Sequence, residues 1–176
     1  MKIIRTKKNE LPEQYETHVE IENDDRVITK WFFYNLTMQE RSPLTGELII
    51  PEGIEEIESE AFNHIGIEYS LYHFPKSLKT LGIKVLPAYA KTKIIYGGSS
   101  EQFKELAKIQ EESVYESDGF DRYPYYSGNS RWVTYYNGFD GMAISAEVYC
   151  KEDGVTLLYG SLYRKGNEEP KVKEAE

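Results

Sequence analysis

A repeat of 24 residues constrains this chain more than any other feature of its sequence. Ile49-Ile50-Pro51-Glu52-Gly53-Ile54-Glu55-Glu56-Ile57-Glu58-Ser59-Glu60-Ala61-Phe62 is answered by His73-Phe74-Pro75-Lys76-Ser77-Leu78-Lys79-Thr80-Leu81-Gly82-Ile83-Lys84-Val85-Leu86. At this offset Ile54 matches Leu78, Ile57 matches Leu81, Ala61 matches Val85 and Phe62 matches Leu86. A period of this length fits one coil made of a strand, a turn and a return segment. One coil cannot bury its own apolar edge, so neighbouring coils must stack. Ile49–Ile50, His73–Phe74 and Ile94–Tyr96 are therefore expected as adjacent parallel strands. Ile54, Ile57, Phe62, Leu78, Leu81 and Leu86 are expected to be buried together.

The motif reads apolar-apolar-Pro-x-x-Ile/Leu-x-x-Ile/Leu-x-x-x-Ala/Val-Phe/Leu. It resembles the BspA-type leucine-rich repeat, whose recurring unit is IPxxVxxIGxxAF. The resemblance covers roughly residues 44–110. Ile94-Ile95-Tyr96-Gly97-Gly98-Ser99 is similar to the last strand of such arrays, and Ser100 to Leu106 to the short helix that closes them. The family implies a binding scaffold, found in bacterial surface proteins and in some protist and phage proteins. It implies no catalytic residues.

The remaining segments predict an α+β fold. Residues 1–40 form an N-terminal β-hairpin: Tyr15, Thr17, Val19 and Ile21 alternate with polar residues, Asn23-Asp24-Asp25 turns, and Arg26 to Tyr34 resumes as a strand. Trp31-Phe32-Phe33-Tyr34 reads as buried on both faces. Residues 41–112 hold the short leucine-rich-repeat unit and a capping helix, begun by Ser99 or Ser100 and running to about Glu112. Residues 113–165 carry an aromatic loop and a C-terminal antiparallel β-meander, with strands at Arg131 to Tyr136, Met142 to Cys150 and Val155 to Arg164. Residues 166–176 form a charged, disordered tail.

Charge bounds the partners. The net charge of −9 disfavours non-specific binding to nucleic-acid phosphates, which needs a basic face. It allows a basic protein partner. Residues 41–68 hold seven acids and one base, and residues 69–100 hold five lysines and no acid. The repeat register accounts for the split, because it sets Glu52 beside Lys76, Glu55 beside Lys79 and Glu60 beside Lys84. The competing reading is a basic binding patch. The basic N-terminus has no apolar stretch behind it and no run reaches membrane-span length, which points to a cytoplasmic protein. Cys150 is the only cysteine. It ends an alternating strand and reads as a small core residue.

No motif for chemistry stands out. His18, His64 and His73 lack a second His or Cys at metal-ligand spacing. There is no GxSxG elbow and no Walker loop. Gly97-Gly98-Ser99-Ser100 has backbone that an anion can approach, but no P-loop lysine, and reads as a turn and cap. No catalytic residue, cofactor or metal is therefore expected. The strongest contact signal lies in Arg122, Tyr123, Tyr125, Tyr126, Arg131 and Trp132, because Tyr, Trp and Arg dominate binding hot spots. The expected function is a non-enzymatic intracellular protein-binding module, its partner another protein, such as a basic nucleic-acid-binding enzyme. The alternative is a phage-encoded, anti-CRISPR-like inhibitor of a host nucleic-acid-acting defence enzyme. It would block the nucleic-acid site or provoke guide-RNA damage.

Overall fold

The computed structural model describes residues 1–10, 13–22, 24–33, 44–59, 61–62, 67–82, 85, 91–107, 111–116, 131–136, 145–159 and 170–173. These residues are mostly strand, with one short helix, in an α+β arrangement. In chain order the strands are β1 (Lys2–Glu10), β2 (Glu13–Glu20), β3 (Val27–Ile28), β4 (Leu44–Ile49), β5 (Glu56–Ile57), β6 (Ile67–Phe74), β7 (Thr80–Leu81) and β8 (Lys91–Tyr96). Helix α1 (Ser100–Leu106) follows, then β9 (Glu111–Glu116), β10 (Arg131–Tyr136), β11 (Ser145–Cys150), β12 (Thr156–Tyr159) and β13 (Lys171–Val172).

The expected stack of coils is present. β4, β6 and β8 are adjacent and parallel, with Ile49 opposite His73 and His73 opposite Ile95. Each coil then turns a corner and adds two residues to a second parallel sheet of order β3-β5-β7. The corner follows from the proline. Pro51 and Pro75 need no ladder partner for a backbone N–H, so they end a strand without leaving a donor unsatisfied. Their carbonyls accept from Ile54 N at 3.5 Å and Leu78 N at 3.3 Å. In the first coil Gly53 takes the left-handed position of the turn, at φ 102°. The second coil has Ser77 at the equivalent sequence position, and its hydroxyl accepts from Gly53 N at 2.9 Å and donates to Ile54 O at 2.7 Å. The two corners are thereby bonded to each other.

The apolar positions of the repeat fill the space between the sheets. Ile54, Ile57, Ala61, Phe62, Leu78, Leu81 and Val85 are all buried, and so are Leu48, Tyr72 and Ile94 from the facing strands. Leu86, expected with them, lies outside the described residues. Aromatic rings run through the core in contact: Phe33 with Phe62 at 5.1 Å, and Phe62 stacked on Tyr72 at 5.9 Å. Beyond β8, Tyr96 meets Phe103 of α1 at 5.2 Å, so the helix covers the end of the stack. Ser99 caps that helix through a reciprocal box with Gln102.

Four expectations are corrected. Residues 15–34 do not form a hairpin. β2 pairs antiparallel with β1 and parallel with β4, while β3 pairs parallel with β5, so the segment is an additional coil at the start of the stack. The turn at Asp24 and Asp25 is its corner. Arg26 to Tyr34 supplies only a two-residue strand, and Trp31 is 55% exposed rather than buried. The helix ends at Leu106, with Ala107 as its C-cap. Glu111–Glu116 is instead a strand, since it finds a ladder partner in β10. The C-terminal meander lacks its first strand for the same reason: β10 pairs with β9 in a separate two-stranded sheet. β11 and β12 do pair antiparallel, and β11 also lies parallel to β8, which extends the main sheet. Finally, Lys171–Val172 of the expected disordered tail pairs with β12, whose open edge offers hydrogen bonds to any extended segment. The main sheet thus has the order β1-β2-β4-β6-β8-β11-β12-β13. Among the described residues no helix is long and apolar enough to cross a membrane.

Candidate functional site

Strand alternation sends every second residue of the main sheet away from the core. Register then decides which outward residues become neighbours. One row reads His18, Ile49, His73, Ile95, Tyr149, Thr156 across β2, β4, β6, β8, β11 and β12. The row beside it reads Glu16, Glu47, Leu71, Lys93, Glu147, Leu158. Within these rows Tyr149 and Lys93 are exposed and the rest are half-buried. The face is therefore a mixed surface, with apolar Ile49, Leu71 and Ile95 among ionisable groups.

The histidines on it are held by acids of the adjoining row. His73 Nε2 lies 3.2 Å from Glu47 Oε2, across from β6 to β4. His18 Nε2 contacts Glu16 Oε1 on its own strand. Sequence spacing gave no sign that the two histidines belong together, since they are far apart in the chain and have no common motif. Only the strand register brings them into one row. Neither is part of a metal cluster: among the described residues no group of three or more His, Cys, Asp or Glu is placed to hold an ion. His64 lies outside the described residues.

The six residues expected to contact a partner divide. Arg122, Tyr123, Tyr125 and Tyr126 lie outside the described residues. Arg131 and Trp132 begin β10, opposite Glu116 and Tyr115 of β9.

Of the three pairs expected from the repeat register, Glu55–Lys79 is present as a side-chain ion pair. Lys79 Nζ lies 2.6 Å from Glu55, and Arg26 from the preceding coil lies 2.7 Å from the same carboxylate. The hydrogen bonds from Lys79 and then Arg26 hold the Glu55 carboxyl below the ordinary range. Glu52 does sit against Lys76, but at its backbone: the carboxylate accepts from Lys76 N at 2.8 Å and Ser77 N at 3.1 Å. The Lys76 ammonium turns to Glu152, 3.1 Å away on the far side of β8. The proposed Glu60–Lys84 pair lies outside the described residues. Because Glu55 is depressed in the folded state, its contribution to stability is present at neutral pH and lost as pH falls through the acid range. Lys79→Glu is expected to lower the melting temperature slightly, with the loss shrinking at about 1 M salt, where screening acts within roughly 3 Å. A loss independent of salt would contradict the ion-pair account.

Two further positions are excluded as chemistry. The turn before α1 is occupied by the chain's own anion. Asp153 Oδ2 accepts from Ser100 N at 2.8 Å and Ser100 Oγ at 2.7 Å, bonds that keep its carboxyl below the usual carboxylate range. Gly97 is packed on Lys76, where a Cβ would come within 2.8 Å of the backbone N. Cys150 is fully buried, and burial pushes its thiol up to about 11, which leaves it protonated and unreactive at neutral pH. Comparison with family models, with curated proteins and with solved structures finds no match to this chain.

Proposed function

We propose that the chain is a non-enzymatic protein-binding module working in the cytoplasm, built on coils of the BspA-type leucine-rich kind. The observation that carries this reading is the outward face of the main sheet, where one register row sets His18, Ile49, His73, Ile95 and Tyr149 side by side. Parallel sheets normally bury both faces, and their strands are then apolar throughout. This face instead mixes half-buried aliphatic residues with paired ions and a 43% exposed tyrosine. Such a mixture suits a protein surface that must be stable in water and still offer anchors to a partner. The aromatic segment from Arg122 to Trp132 supplies a second part of the contact in this reading. The acidic balance of the chain favours a basic partner.

The test is capture of partners by the immobilised protein, with and without nuclease treatment, and identification by mass spectrometry. The capture is then repeated with Tyr149→Ala/His73→Ala and with Tyr125→Ala/Tyr126→Ala/Arg131→Ala. A nuclease-resistant partner is expected, released by the first variant by about tenfold or more, with the melting temperature unchanged within about 2 °C. Undiminished capture by both variants would overturn the proposed contact surface. Cleavage of RNA or DNA by the purified chain would overturn the non-enzymatic reading.

A further inference from the structure

A second surface lies on the other side of the stack and goes beyond the function proposed above. Its centre is Trp31. The residue is 55% exposed and its backbone sits at φ 60°, in the left-handed region. A bulky residue there is a true outlier, and such strain persists only where the surroundings impose it. The surroundings here are rigid. Phe32 N bonds back to Thr29 O at 3.1 Å. Phe33 is fully buried and packs edge-on against Phe32 and Phe62. The chain therefore anchors two aromatic rings inward and presents the third outward.

Lys30 links this ring to a groove. Its ammonium lies 5.0 Å from the centroid of the Trp31 ring, and its amide donates to Glu58 Oε2 at 2.7 Å. It also borders an open depression of about 340 Å³ over the outer side of β5 and β7, bounded by Glu56, Glu58, Ser59, Thr80 and Gly82. The nearby bases Arg26 and Lys79 are both engaged by Glu55. Glu56 has no such pairing among the described residues, and Glu58 is met by an amide rather than a cation. The groove, which Lys30 also lines, thus offers two carboxylates that form no ion pair with a base among the described residues, beside an exposed ring whose face already accepts one ammonium. An aromatic face next to carboxylates recognises cations. Nucleic acid would meet these carboxylates with its own negative phosphates.

We propose that Trp31 and the groove lined by Glu56, Glu58 and Thr80 dock an extended basic segment of a protein partner, with an arginine or lysine of that segment set between the glutamates and against the indole ring. The net charge of −9 steers such a segment toward the chain.

The test uses the full chain and a fluorescein-labelled peptide of about nine residues alternating Arg and Ser, long enough to cross the three short strands. Binding is read by anisotropy, and its location by amide and indole N–H shifts in NMR spectra. Shifts are expected at Trp31, Glu56 and Thr80. Trp31→Gly and Glu56→Gln should each weaken binding about threefold to fivefold, the scale of one exposed cation–π or charge contact. Glycine is at ease at positive φ, so Trp31→Gly should melt no lower than the parent protein. That outcome separates a ring kept for contact from a ring kept for stability. Glu101→Gln, on the exposed side of α1, should leave binding unchanged. The proposal is overturned by equal losses in Glu101→Gln, by shifts confined to other residues, or by full affinity in Trp31→Gly. These outcomes are independent of the main-sheet variants, so either surface can fail without the other.

Discussion

Gly82→Ala is expected to lower the melting temperature by about 10 °C, the result of roughly 3 kcal/mol of overpacking in a chain of this size. Gly82 is buried where the second coil crosses the first. A Cβ there would stand 2.2 Å from Ser59 N, 2.6 Å from Glu58 C and 2.7 Å from Ser59 Cα. All three are backbone atoms, so no rotamer change can relieve the contact. The same close approach lets Gly82 N donate to Ile57 O at 2.8 Å. Separating the coils to admit a methyl group would stretch that bond and part the row Ile28–Ile57–Leu81 behind it. Thermal melts of the parent and variant check this. A shift smaller than about 2 °C would mean that the coils are not stacked this closely.

Ile57→Ala and Leu81→Ala should each cost on the order of 2 to 5 kcal/mol, measured by denaturant titration. Both side chains are fully buried and they are direct partners in adjacent parallel strands. Each faces a core already filled by rings, Phe33, Phe62 and Tyr72 among them. A packed aromatic wall collapses poorly around the three carbons lost, so a cavity remains and the cost lies above simple transfer. Because the residues touch, the double variant should depart from additivity. Two unchanged transitions would contradict the shared core.

The part of the fold legible in the sequence was the part in which corner chemistry and apolar spacing recur together. Pro51 and Pro75 mark equivalent corners, and seven residues separate the paired positions of sheet one and sheet two in both coils: Ile49 to Glu56, and His73 to Thr80. The coil that precedes these two, β2 to β3, is not legible in this way, because its corner has no proline and spans nine residues, from His18 to Val27. Its alternating β2 and its Asn-Asp-Asp turn carry the local signals of a hairpin, and local signals cannot tell a parallel neighbour from an antiparallel one. The strand β1 leaves no sequence signal because adjacent Ile3 and Ile4 break alternation amid basic residues. At the other end, β8 and β11 pair in parallel across a long intervening segment, so no fixed period connects them.

The candidate site was less legible than the fold. The ladder Arg26–Glu55–Lys79 followed in part from the 24-residue offset, with Arg26 added by the unrecognised coil. The outward row of His18, His73 and Tyr149 left no trace in linear spacing, because it depends on the offsets of four strand pairings. In the sequence Trp31 belongs to a continuous aromatic run that has the signature of a buried strand. Its neighbours Phe32 and Phe33 do turn inward, and only the positive φ between them and Lys30 points it outward.

The most direct test of the account is the coil register itself, measured as backbone nuclear Overhauser contacts in uniformly labelled protein. The stacked arrangement predicts contacts between His18 and Ile49, between Ile49 and His73, and between His73 and Ile95, all of parallel type, together with Ile28 to Ile57 and Ile57 to Leu81. Antiparallel contacts between residues 15–21 and 26–34, with none linking Ile49 to His73, would contradict the stack and both surfaces derived from it.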